Sequence, residues 1–337
     1  MQRKSEHMNM LKGDSTVRRL MQRHGILLVL VALFIISSFI NQNFLSVRNL
    51  TNISRQISIT TILAFGQTIL IIAGMLDLSC GSVLALSGLL SVSVYKQTGL
   101  LSVAFLVAIA VAVFCNILNG LMVTKFKTPP FIATLAMLTM ARGAALLYTN
   151  GQNIYQIGSY TFFGQGSIWV IPTPIIFFIL IGVATWYILN HTRLGRSLYA
   201  IGGNEEAAVA SGVNVNRRKM QAFVVNGILV GIAGVIFMSR VNAGLPNGAV
   251  GFEFEALTSS VIGGTSFSGG IGTAGGTVVG AFIVGILNNI MNLIGLNAYL
   301  QQIIRGAIIA LAVIYDMHTK KMRTTRTLGS LEETQTA

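Results

Sequence analysis

Apolar residues in this chain follow neither the two-residue period of a half-buried strand nor the narrow stripe of a surface helix; they run on almost unbroken. Runs occupy 26–40, 57–74, 79–95, 100–124, 131–148, 174–190, 220–239, 256–271, 276–295 and 299–315. About 20 apolar residues in a helix cross the roughly 30 Å of hydrocarbon in a bilayer. The pattern therefore predicts an all-α polytopic membrane protein of about ten transmembrane helices. Several are broken by glycines, most plainly around 74–81 and 263–276.

Basic residues give the orientation. Six Lys or Arg lie in 1–24, two at Lys125 and Lys127, five in 193–219 and four in 320–326, seventeen of the 23 in the chain. Cytoplasmic placement of all four segments needs even span counts between them, and the runs supply four, two and four. The sequence thus divides into a basic cytoplasmic tail (1–24), a transmembrane domain (25–316) with a large cytoplasmic loop (192–218), and a second cytoplasmic tail (317–337). The first run reads as an uncleaved anchor, since no small-residue cleavage site follows it. Gly143–Thr192 has no charged residue, so Thr149–Gln152 is an outward loop; Arg48 and Arg55 fall outside against the trend. Thr68–Gly74 echoes Ile228–Gly234, and Leu118–Met122 echoes Leu287–Met291. Both pairs lie five spans apart, and an odd offset predicts an inverted repeat of spans 2–5 and 7–10.

Composition agrees: 53% hydrophobic residues against 10% charged, with mean hydropathy +0.71. The formal charge of +13 sits in tails and loops, which suits a membrane surface and argues against nucleic acid. Cys80 and Cys115 both lie inside apolar runs, so no disulfide framework is implied. The four histidines sit in tails or at span ends, which excludes a histidine-based metal or catalytic cluster. Gly270–Gly275 spells G-x-G-x-x-G without the strand, helix and acidic residue that give it meaning, and Gly264–Gly269 lacks the Lys and Ser/Thr of a phosphate loop. No catalytic residue, metal or cofactor is expected.

The candidate chemistry lies in polar groups at membrane depth. Asp77 and Ser79 sit between Gly74 and Gly81, where they either cap a helix start or line a solute path. Thr265, Ser266, Phe267 and Ser268 lie in a second interruption, read as a re-entrant element or a tight cytoplasmic turn. Arg142 and Arg240 fall near outward span ends, placed to reach headgroups or an external partner. In the large loop, Asn204 reads as an N-cap, Glu205 and Glu206 fit the first turn, and Gly212 supplies a left-handed stop. The small face Ala207, Ala208 and Ser211 suits a groove on another protein.

Over Asn43–Asp316 the chain resembles the membrane permeases of bacterial ABC importers for monosaccharides, the ribose type above all. The likeness is carried by Asp77-Leu-Ser-Cys-Gly81, Phe131–Leu135, Tyr148–Gly151, Thr192–Arg196, Ile201–Glu205, Ser211–Asn214 and Gly263–Gly270. Leu76 and Cys80 stand where the family usually has Ile and Val. The resemblance implies residence in the bacterial inner (plasma) membrane and a second permease copy, as homodimer or paralogue heterodimer. It also implies a cytoplasmic ATPase with two nucleotide-binding halves and an extracytoplasmic sugar-binding protein. Asn204–Gly212 would be the coupling helix, and the sugar would be chosen mainly by the binding protein. A permease for another small polar solute and an ion-coupled secondary carrier are the alternatives, the latter needing intramembrane acids such as Asp77, Glu253 and Glu255.

Overall fold

The computed structural model describes residues 25–314; the two tails, 1–24 and 317–337, lie outside the described residues. Its helices are α1 (Gly25–Ile40), α2 (Val47–Ile72), α3 (Cys80–Thr98), α4 (Leu101–Thr124), α5 (Pro130–Thr149), α6 (Phe162–Gln165), α7 (Thr173–His191), α8 (Arg193–Gly203), α9 (Glu205–Ala210), α10 (Val215–Val241), α11 (Phe252–Ile262), α12 (Ala274–Leu293) and α13 (Ala298–Ile314). A 3-10 turn at Gly158–Thr161 and a two-stranded hairpin, β1 (Ser167–Ile168) and β2 (Ile171–Pro172), depart from the all-helical expectation. Polar caps set several helix starts: Asn214 accepts the Arg217 N–H at 3.0 Å, and Thr273 accepts the Gly276 N–H, also at 3.0 Å.

Ten helices correspond to the ten apolar runs, but α2, α4, α5, α7, α10 and α12 alone among the described helices are long and apolar enough to cross a membrane by length and composition. The eighth run departs most. Instead of a span over 256–271, α11 covers 11 residues and an irregular segment follows to Thr273. Glycine causes the break, because Gly264, Gly269 and Gly270 all have positive φ and cannot continue a helix.

The turns gather at two ends. At one, Lys127 donates to Asn216 at 2.9 Å, Gly270 N–H reaches the Ile72 carbonyl at 2.8 Å, and Ile26 lies against Gly264. At the other, Asn49 bonds Asn289, Lys96 reaches the Tyr155 carbonyl at 3.0 Å, and Ile154 bridges to Gly244. The start of α1, the α4–α5 turn and the α8–α10 loop therefore share an end, as the span parity requires.

The core is a set of close helix pairs. Ala104, Ala108 and Ala112 of α4 recur every four residues and are buried. Gly227 and Gly231 of α10 meet Ala112–Val113 and Ala108–Ile109 so closely that a Cβ would stand 2.7 Å from backbone. In lipid, helix association depends on such small-residue contact, because burial from water supplies no drive there. α10 packs on α3 and α4, as α2 packs on α11 and α12, and α2 and α10 pack on each other. These central helices run antiparallel: Arg55 and Arg240 both contact Gln165, while Gly66, near the end of α2, meets Asn226 in the first half of α10. The sequence echo aligns Gly66 with Asn226, and self-contact between equivalent positions is what an inverted pair on a shared axis produces.

Candidate functional site

Two helix starts meet inside the bundle. Asn226, which bonds Asp77, lies eleven residues from the start of α10 and fifteen from its end, about 16 and 22 Å along the axis. After α2 ends at Ile72 the chain turns at Gly74, φ +73°, and climbs back to this depth before α3 begins. Gln67 of α2 holds the returning strand by donating to the Asp77 carbonyl and accepting the Asp77 N–H.

Asp77 Oδ1 accepts the Ser79 N–H at 2.7 Å and the Ser79 hydroxyl, and Oδ2 accepts Asn226 Nδ2 at 2.7 Å. Asn226 Nδ2 also donates to Asn116 Oδ1 at 2.9 Å, and Asn119 Nδ2 donates to Ser79 Oγ at 3.0 Å. All five residues are wholly buried among α2, α3, α4 and α10. Asp77 thus holds the Ser79 N–H just ahead of α3, and the Ser79 side chain makes no cap bond to the first turn; a place at the helix start and a place in the path lining are compatible for these residues. A carboxylate is stabilised beside the free N–H groups that open α3, and here it also ties α3 to α10.

Glu253, in the first turn of α11, lies against the same helix start. Its Oε2 is so close to Gly81 that a Cβ there would stand 2.2 Å away, and its Oε1 accepts the Gly251 N–H at 3.2 Å. Glu253 is 6% exposed, and Oε2 has no hydrogen-bond partner. Glu255 pairs with Arg305 of α13 at 3.0 Å, and Arg305 also donates to Asn288. Sequence reading missed the asparagines, Gln67 and Arg305. The available signal was an amide in the middle of an apolar run, as at Asn116, Asn119 and Asn226.

The hydroxyl segment lies around the C-terminal end of α2. Thr265 and Ser266 are buried, Phe267 is half-buried and Ser268 is exposed. Gly272 is lodged between Ile72 and Thr265, so this segment and the Asp77 return flank one point, the end of α2. α8 seals it. Tyr199 donates to the Gly272 carbonyl at 2.7 Å, and partial burial shifts its hydroxyl upward from the ordinary tyrosine value. Gly202 fits where no side chain can: a Cβ would stand 1.8 Å from the Ile72 carbonyl and 2.4 Å from the Gly270 nitrogen.

α9 forms as the sequence predicts. Asn204 accepts the Ala207 N–H at 2.9 Å, Glu205 and Glu206 occupy the first turn, and Gly212 takes φ +81°. Its faces differ from the expectation. Ala208 is 3% exposed and packs on Ile201 and Val215, so it holds α9 to its own chain. Six residues cannot bury a face outward and inward at once, and the inward one took Ala208. Ala207, Val209, Ala210 and Ser211 are exposed. Glu205 pairs with Lys219 of the same chain at 2.7 Å, and Glu206 is exposed.

The two outward arginines are half-buried. Arg142 donates to the carbonyls of Pro246 and Gly248, both at 2.8 Å, and so holds the α10–α11 loop rather than reaching outward. Arg240 lies in the last turn of α10, its backbone packed against Gly164. Among the described residues no group of three or more His, Cys, Asp and Glu could hold a metal ion.

The family model described as branched-chain amino acid transport system / permease component matches residues 49–313. The ribose import permease protein of Escherichia coli K12 is 38% identical over 88% of this chain and 94% of its own length. That of Bacillus subtilis 168 is 40% identical over 88% and 93%. The L-arabinose transport system permease protein of Escherichia coli K12 is 33% identical over 93% and 96%. No solved structure matches. A multi-pass helical bundle, a match covering most of the chain and relatives matched over nearly their full length agree: the chain belongs to the branched-chain amino acid transport system / permease component family of membrane permeases.

Proposed function

We propose that this protein is the membrane permease of an ATP-driven ABC importer for a monosaccharide of the ribose, allose or arabinose kind. Relatives named for those three sugars are 33–40% identical over most of the chain, which favours sugar over the amino acid in the family description. Its partners are a cytoplasmic ATPase, an extracytoplasmic sugar-binding protein and a second permease copy. The end bearing Lys127, Arg193, Arg217 and α9 faces the cytoplasm.

The observation that carries the reading is the α8–α9 unit. α9 is capped at both ends, pinned through Ala208, and presents Val209 and Ala210 outward. The adjoining α8 is pressed against Ile72 and Gly270 without room for a methyl group. A push on α9 therefore reaches the end of α2 and the Thr265–Ser268 segment, where the solute path opens inward. A secondary carrier is the weaker reading, because Asp77 is locked by Asn226 and Ser79 and Glu255 by Arg305, which leaves Glu253 alone with a free carboxylate oxygen where a relay needs several.

Transport in proteoliposomes containing permease, ATPase and binding protein tests it. Uptake of labelled ribose, allose or arabinose should require ATP, and uptake driven by a proton gradient alone would refute it.

A further inference from the structure

The connection between α6 and α7 carries a feature that the transport reading does not use. β1 and β2 form a short hairpin closed by the Thr173 N–H on the Gly166 carbonyl at 3.0 Å. Its tip, Ile168-Trp169-Val170-Ile171, is four consecutive apolar residues; Trp169 is 96% exposed and Val170 91%. Trp169 holds φ +58°, an uncommon backbone for a bulky residue. The fold thus fixes the tip in a strained turn whose two central side chains, Trp169 and Val170, touch almost nothing, with Ile168 and Ile171 half exposed beside them.

We propose that this hairpin is an interfacial foot that seats Trp169 and Val170 in the outer lipid headgroup layer. Three observations select lipid. The hairpin runs straight into α7, one of the six helices able to span. The apolar surface of α7 (Ile179, Leu180, Val183) is exposed, so the tip is carried on a helix that itself offers apolar side chains to lipid. The whole stretch Gly143–Thr192 has no charged residue to keep the tip in water. Trp186 and Tyr187, both half exposed, flank His191 at the opposite end of α7. The helix therefore carries an aromatic group for each interface, the position tryptophan and tyrosine favour in membranes. A soluble partner that comes and goes would leave the tip in water between encounters, at a cost that grows with its apolar area, whereas lipid covers it permanently.

Trp169 and Trp186 are the two tryptophans of the chain, which makes a direct test available. Trp186→Phe leaves Trp169 as the sole reporter in the full-length permease, assembled in nanodiscs. We expect blue-shifted emission, loss of more than half of it with lipids brominated close to the glycerol, and little quenching by aqueous iodide. Emission at the position of free indole with full iodide quenching would overturn the proposal. So would shielding from both quenchers, which indicates a second permease copy, or shielding that arises only on adding binding protein. If Trp186→Phe fails to accumulate, subtracting the signal of Trp169→Phe from that of the unmodified protein gives the same reading. None of these outcomes depends on which sugar is carried.

Discussion

At the scale of single residues, Asp77 and Asn226 decide how the bundle centre holds. Each carboxylate oxygen is used, so Asp77→Ala strands the Ser79 N–H and one N–H of the Asn226 amide, whose other N–H keeps Asn116. Each stranded donor costs about 1–3 kcal/mol. Thermal unfolding in detergent should show a clear drop for Asp77→Ala. The cycle with Asn226→Ala should give a coupling of about 0.5–3 kcal/mol, as for residues in one network; additive effects would mean the pair does not act as a unit. Gly202 makes a second residue-scale case, because nothing in its composition distinguishes it from the adjacent Gly203. Gly203 has open space where a Cβ would point, and Gly202 has backbone at 1.8 Å. Gly202→Ala should therefore lower sugar-stimulated ATPase activity of the assembled transporter while Gly203→Ala leaves it nearly unchanged; equal behaviour would show that the α8 contact transmits nothing.

Secondary-structure elements show why part of the design was legible in the sequence and part was not. Runs of apolar residues located ten helices; for the six long and apolar enough to cross, membrane crossing imposes a length and composition readable from the sequence, whereas the eighth run was cut short by its glycines. α9 was legible for a local reason: Asn204 and Gly212 fix its ends through bonds and dihedrals set within a few residues. Its inward face was not, since Ala207 and Ala208 are chemically identical and only Ile201 and Val215, from neighbouring elements, tell them apart. The Asp77 network spans more than 100 residues of sequence, from Asp77 to Asn226, and no local pattern announces that. The corrected face gives a sharper prediction for α9. Ala210→Arg should reach the membrane in normal amount and lose copurification with the ATPase. Ala208→Arg should instead disturb the loop itself, seen as faster proteolysis near 204–215. Retained copurification in both Val209→Arg and Ala210→Arg would place the coupling surface elsewhere.

Over the whole molecule, charge and symmetry together set the orientation. The inverted pairing of α2 with α10 places the turns at two ends, and the basic residues divide unequally between them. Lys125, Lys127, Arg193, Arg196, Arg217, Arg218 and Lys219 lie at the end that carries α9, while the opposite end has Arg48, Arg55, Lys96, Arg142 and Arg240, with Arg55, Arg142 and Arg240 half-buried. In the proposed transporter, the positive-inside bias turns the α9 end toward the cytoplasm. Two exposed positions at opposite ends test this: Ser211 beside α9, and Gln152 in the uncharged connection before α7. The native thiols Cys80 and Cys115 are buried, so an impermeant maleimide applied to intact cells meets little background. Gln152→Cys should label from outside, and Ser211→Cys should label only after the membrane is opened. The reverse pattern would invert the molecule, turn α9 away from any cytoplasmic ATPase, and remove the coupling role from the loop that joins α7 to α10.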